Sequence, residues 1–227
     1  MKLHDLNRKV QRKGLMGLLR LLRERFLYAH NELHWFAREL NQSTPLQLPR
    51  RHAWRFVDIT PRLLPAFQRH FPAQIEVMAD LLAQPDLHGY AALDSFGDVC
   101  AFMWISPRDY YDGHYFRSWF PVAPGDAYLF ALEIAPTHRG SALFLGGQNH
   151  LWQLLGSRGY KRAVAVVDCR NRIMLRLMER LGFSEDGRKV HAHTLLGTLR
   201  FTVQPTRPHP PVAIKRPRLL PSGKSGG

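Results

Sequence analysis

Residues 128–140 read Tyr128-Leu129-Phe130-Ala131-Leu132-Glu133-Ile134-Ala135-Pro136-Thr137-His138-Arg139-Gly140, an apolar run that breaks at a proline and ends in an Arg-Gly turn. A helical segment follows, then a second apolar run, Ala163-Val164-Ala165-Val166-Val167, and a second helix from Asn171 that stops at Leu181-Gly182-Phe183. Strand, turn, helix, strand, helix is a crossover unit. Such a unit sets two parallel strands side by side with a helix packed on them. The Arg-Gly turn between the first strand and its helix is where chemistry is expected.

On the N-terminal side of this unit, 54–59 alternates as a first strand, and Thr60-Pro61 is a helix-start signal for one or two helices over 61–83, broken near His70-Phe71-Pro72. Residues 89–94 and 99–106 read as two strands joined by Ser95-Phe96-Gly97-Asp98, a hairpin turn. Residues 107–125 read as an aromatic-rich loop. On the C-terminal side, 190–203 alternates as one or two strands. Residues 2–40 read as helix: Leu15, Leu19, Leu22 and Phe26 share one helical face, and Leu33, Phe36 and Leu40 continue the spacing. Residues 41–52 read as a linker, and the Pro- and Arg-rich tail over 205–227 as disordered.

The net charge is +14 over 227 residues, and it sits at the ends. Residues 1–40 hold nine Lys/Arg against four Asp/Glu, and 188–227 hold eight against none, while 41–187 is nearly balanced. A neutral centre argues against a specific nucleic-acid-binding domain. A basic amphipathic helix over 1–40 fits either an anionic membrane surface or packing on the domain or on a second copy of the chain, as in a homodimer. No run of about 18 apolar residues exists and the N-terminus is not a secretory signal. Cys100 and Cys169 form no metal or disulfide pattern. A cytoplasmic location follows as the expectation, peripheral to the inner face of the membrane if the helix binds lipid.

The ordered set, a strand ending Ile-Ala-Pro-Thr-His-Arg-Gly, a helix, Gly159-Tyr160 and a strand, then Asn171 and a helix ending Leu-Gly-Phe, resembles the GNAT superfamily of acyl-CoA-dependent N-acyltransferases. The resemblance is firm over 128–183, extends weakly from about 54 to 200, and leaves out 1–50 and the tail. It implies an α+β fold with a mixed central sheet flanked by helices over 53–204, and transfer of an acetyl or longer acyl group from acyl-CoA to an amine acceptor, a small molecule or a glycan. It also implies that the turn holds the diphosphate of coenzyme A, in the pattern Arg-Gly-x-Gly-x-Gly/Ala. Here Arg139, Gly140 and Ser141 fit, Ala142 stands for the second glycine, Leu143 follows, and Phe144 stands for the third small residue. The preceding strand, through the backbone at Leu132 and Ile134, would hold the pantetheine arm.

Gly146-Gly147 falls inside the expected helix, where glycine costs about 1 kcal/mol relative to alanine. Either the turn is longer and the helix starts near Gln148, or the pair lets a partner approach closely. The family's tyrosine that protonates the leaving thiolate falls at Met178, which cannot donate a proton. Asn171 matches the family's asparagine near the pantetheine; read from its position alone, it is an N-cap.

An amine must be neutral to attack a thioester, so a base is needed. Glu133, a carboxylate within an apolar strand, is the first candidate, and Asp126, at the start of the same strand, the second. Tyr111, Tyr115 and Trp119 are candidates for an acceptor wall. His191 and His193 form a His-x-His pair that would face one side of a strand, but without a third ligand at fitting spacing no metal is expected. Two alternatives stay open: a fold that has kept binding and lost catalysis, tethered by its basic ends to membrane or nucleic acid, and an acyl carrier protein as donor.

Overall fold

The computed structural model describes residues 28–40, 54–114, 116, 118–196 and 199–203. Residues 1–27 of the expected basic helix, the linker and the tail lie outside the described residues. Among the described residues ten strands form: β1 (Tyr28–Glu39), β2 (Arg55–Asp58), β3 (His88–Leu93), β4 (Val99–Ser106), β5 (Tyr110–Asp112), β6 (Ser118–Phe120), β7 (Asp126–Ile134), β8 (Arg162–Asp168), β9 (Ser184–Leu195) and β10 (Leu199–Val203). Three α-helices accompany them: α1 (Ile75–Leu82), α2 (Leu143–Ser157) and α3 (Arg172–Arg180). Eight strands make one mixed sheet in the order β10-β9-β1-β8-β7-β4-β3-β2, and β5 and β6 form a separate hairpin. No helix among the described residues is long and apolar enough to cross a membrane.

The crossover unit is β7-α2-β8, with β7 and β8 parallel as its spacing requires. One face of the sheet packs on residues 61–82 and the β5–β6 hairpin, where Phe67, Met78, Leu81 and Phe120 are fully buried. The other face packs on α2 and α3 through Leu151, Trp152, Leu155, Met178 and Leu181. The fold is therefore three layers with the sheet in the middle.

The helical reading of 28–40 is overturned. This segment is a strand in the interior of the sheet, antiparallel to both β8 and β9. Leu33, Trp35 and Ala37 enter the core on one face, and Phe36 and Leu40 on the other. Arg188 lies 4.2 Å over the Trp35 ring. A strand buried on both faces loses the simple alternation of apolar and polar residues. The Leu33, Phe36, Leu40 spacing then imitates a helix, whereas pairing on both sides satisfies every strand's backbone groups only in the sheet. The aromatic loop also contains structure. In β5 and β6, Tyr110 and Phe120 point inward while Tyr111 and Trp119 point outward. The connecting turn is shaped by Asp112, whose carboxylate accepts the N–H groups of His114 and Phe116, each at 3.0 Å.

Candidate active site

β7 departs from regular geometry in the middle. Its pairing with β4 passes from Phe102–Glu133 to Trp104–Phe130, so Ala131 and Leu132 together face Met103. This is a β-bulge, and Ala131 adopts φ +51°, a left-handed conformation costing a non-glycine residue about 1–2 kcal/mol. On its other edge β7 pairs with β8 only from Asp126–Arg162 to Leu129–Ala165. Beyond Leu129 the two strands diverge and leave a cleft of about 430 Å³. Leu129 to Glu133 form one wall and Ala165 to Asp168 the other, with Phe144 and Gln148 from α2, Asn171 and Met178 from the α3 side, and Phe116 from the β5–β6 turn.

The turn after β7 is compact. Pro136–His138 makes one 3-10 turn, Arg139 is extended, and Gly140 takes φ +78°, a conformation open to glycine. Arg139 Nε donates to Ile134 O at 3.1 Å, and Ser141 Oγ donates to His138 O at 2.6 Å. α2 then begins at Leu143, directly behind Ala142. The N–H groups of Gly140 and Ala142 have no hydrogen-bond partner among the described residues. Free donors beside a helix N-terminus suit an anion such as a diphosphate.

The structure separates the expected site residues into three sets. Glu133, Leu132, Phe144 and Asn171 meet in the cleft. Glu133 is half-buried and its Oε2 accepts from Gln74 Nε2 at 3.2 Å. Asn171 both lines the cleft and caps α3, accepting the N–H of Met174 at 3.1 Å. Arg139, Gly140, Ser141 and Ala142 form the turn. Leu143 is 1 % exposed and packs inward with Ala92 and Cys100, so only its backbone faces the turn. Ile134 lies with Leu143 in an apolar pocket under α2.

Several expectations need correction. Asp126 is not in the cleft. It lies seven residues before Glu133, roughly 23 Å along an extended strand, and is 3 % exposed in a bidentate pair with Arg162 at 2.8 and 2.7 Å. Tyr111 and Trp119 stand 45 % and 61 % exposed on the outer face of the hairpin, in contact with each other, and line no wall of the cleft. Tyr115 lies outside the described residues. The hairpin instead places Phe116 there. The longer-turn account of Gly146-Gly147 also fails, since both lie within α2. A Cβ on Gly147 would meet the Phe56 ring at 3.5 Å, an ordinary van der Waals distance, so α2 passes β2 with room for a side chain as small as alanine's. Phe144 lines the cleft and narrows it.

Gln148 is the residue that sequence reasoning missed. It is 4 % exposed, lines the cleft, and its Oε1 finds no hydrogen-bond partner among the described residues. The signal was present: Phe144, Gln148, Leu151 and Leu155 recur at helical spacing on the inward face of α2, and Gln148 is the polar member. Met178 is buried and lines the cleft, so the position where the resemblance implies a proton-donating tyrosine holds a thioether. The His191-x-His193 pair does face one side of β9. β1 adds His30, whose ring stacks on both at 5.3 and 4.8 Å and whose Nε2 lies 3.0 Å from His191 Nδ1. Tyr28 Oη lies 2.7 Å from His193 Nδ1.

No family model matches the sequence, and no curated protein is similar to it. Solved structures do match in fold. A conserved protein of unknown function from Staphylococcus epidermidis is 11% identical at a TM-score of 0.54, over 79% of this chain and 67% of its own. A GCN5-related N-acetyltransferase from Sphaerobacter thermophilus is 15% identical at a TM-score of 0.51, over 80% of this chain and 56% of its own. A tandem GNAT protein from the clavulanic acid biosynthesis pathway is 15% identical at a TM-score of 0.50, over 82% of this chain and 59% of its own. The chain thus spans less than two thirds of the length of the last two.

Proposed function

We propose that this chain, which has the GNAT fold, is an N-acyltransferase that moves an acetyl or longer acyl group from acyl-CoA to an amine. The observation that carries the reading is the cleft between the diverging ends of β7 and β8, with Glu133 on one wall and, from α2 behind the Gly140 turn, Phe144 and Gln148. A thioester arm fits such a slot because a diverging strand exposes backbone groups that a paired one hides. The bulge at Ala131 adds a further unpaired segment. The free N–H groups of Gly140 and Ala142 would hold the donor's diphosphate, with the dipole of α2 behind them. Gln148 Oε1 would accept an N–H from the arm.

In this reading Glu133, oriented by Gln74, takes a proton from the acceptor ammonium, directly or through one water. The neutral amine nitrogen attacks the thioester carbonyl and the C–N bond forms; the cationic nitrogen of the adduct then gives its second proton to water or to the departing sulfur as the C–S bond breaks. Met178 supplies no proton, so the thiolate leaves as such or is protonated by the adduct nitrogen or by solvent. The acceptor enters past Phe116. Transfer from an acyl carrier protein would use the same cleft with a single phosphate at the turn.

Met178 also favours a second reading, a binding module that has kept the cleft and lost transfer. Titration of the full chain with acetyl-CoA by calorimetry, followed by thiol release across a panel of amines, separates the readings. No binding at millimolar donor sinks the CoA-dependent enzyme. Binding without thiol release across the panel favours the module.

A further inference from the structure

Outside the cleft, three segments distant in sequence bring metal-ligating side chains together. His70 comes from the turn after the 3-10 helix Pro61–Phe67, Asp94 from the start of the β3–β4 hairpin, and His138 from the 3-10 turn behind β7. One ligand atom from each lies within 4.8 Å of the other two, and all three residues are half-buried. We propose that His70, Asp94 and His138 form a binding site for a single borderline divalent transition cation, with Zn²⁺ the best fit.

The chemistry of each group supports this. His70 Nε2 is buried and has no hydrogen-bond partner among the described residues, which is unfavourable for an imidazole nitrogen unless something answers it. The His70 and His138 rings meet edge to face, with centroids 5.7 Å apart and planes at 86°. Asp94 Oδ1 is held by the N–H groups of Phe96 and Asp98 at 2.9 and 3.0 Å, which fixes the carboxylate and leaves Oδ2 without a hydrogen-bond partner among the described residues. Ligating carboxylates are commonly oriented by such secondary bonds. Arg69, next to His70, pairs with Asp98 at 2.8 Å and so ties the His70 turn to the hairpin that carries Asp94.

Two imidazoles and one carboxylate suit Zn²⁺, or the similar Co²⁺, rather than Mg²⁺ or Ca²⁺, which take mainly oxygen ligands. Zn²⁺ bound at about 2.0–2.2 Å by nitrogen and oxygen needs only small side-chain rotations from this arrangement. Three protein ligands leave a fourth position for water or an exogenous group. The inference does not depend on acyl transfer, although His138 immediately precedes Arg139. The site differs from the His30, His191, His193 stack, in which one nitrogen of each ring already pairs, His30 with His191 and His193 with Tyr28.

The untagged full chain, stripped with chelator, is titrated with ZnCl2 by calorimetry and with CoCl2 by visible absorption. The expected result is one equivalent of Zn²⁺, a higher melting temperature with metal, and Co²⁺ bands of a low-coordinate site. His138→Ala and Asp94→Asn should each weaken Zn²⁺ by about 10-fold or more, while His191→Ala leaves it unchanged. Asn at 94 keeps the oxygen that accepts the hairpin N–H groups, so Asp94→Asn remains informative if His138→Ala misfolds. No binding at millimolar metal, binding unaffected by both variants, or binding abolished by His191→Ala would each overturn the proposal.

Discussion

β8 has two neighbours that differ in how long they stay with it. β1 runs antiparallel and remains paired through seven positions, from Leu33–Asp168 to Glu39–Arg162. β7 runs parallel and leaves after four. The first edge is sealed by buried side chains on both faces, whereas the second opens into the cleft. The difference teaches how a sheet holds a site in its own middle. A strand whose one edge is left open needs its other edge held along its full length, and here the chain's first described strand does the holding.

The largest effect should come from breaking the sealed edge. Trp35 is 1 % exposed and packs on Phe120 and Tyr128. Trp35→Ala should cost about 3–5 kcal/mol, read by denaturant unfolding, because a buried aromatic leaves a cavity that the sheet cannot close. A cost below about 1 kcal/mol would mean that β1 is a dispensable addition. On the open edge the reverse split is expected. Glu133→Gln should lower kcat about 100-fold with an unchanged melting temperature, as removal of a general base does. An unchanged kcat would reduce Glu133 to a hydrogen-bond partner of Gln74.

The two edges were also unequally legible in the sequence. The open edge belongs to a local unit: a strand, Arg139-Gly140, a helix and a strand follow one another, and the positive φ of Gly140 is signalled by its residue type. The bulge was not, because Ala131 adopts a left-handed φ that alanine does not announce. The sealed edge depends on partners more than 120 residues away, at 162–168 and 184–195. No local period reveals such a partner, and burial on both faces of β1 removed the alternation that would have marked a strand. Glu133 was legible as a carboxylate in an apolar run. Asp126 opens the same strand, and only the fold shows that Arg162 occupies it at the far end.

A smaller effect should sharpen the open edge. Gln148→Leu keeps the apolar packing of α2 and removes the orphaned acceptor. It should raise KM for the acyl donor about fivefold, the worth of one hydrogen bond near 1 kcal/mol, and leave kcat unchanged. A fall in kcat with KM unchanged would move Gln148 from donor binding to the reacting centre.

The smallest effect lies back on the sealed side, where β1 is stitched to β9 by charge. Lys189 Nζ and His34 Nε2 bind Glu32 Oε1 at 2.7 and 2.8 Å. Hydrogen bonds from Lys189 first and His34 second hold the Glu32 carboxyl at about 2, below its ordinary 4.5. A carboxylate lowered in the folded state contributes stability that is fully present above its unfolded value and disappears as pH falls through the folded one. Wild type should therefore melt slightly above Glu32→Gln at neutral pH, and the gap should close as pH falls from 4.5 toward 2. The pair is exposed, so added salt should shrink the gap at neutral pH as well. A gap that persists at low pH would mean that Glu32 acts through packing rather than charge, and that β1 is held to β9 by its backbone and core side chains alone.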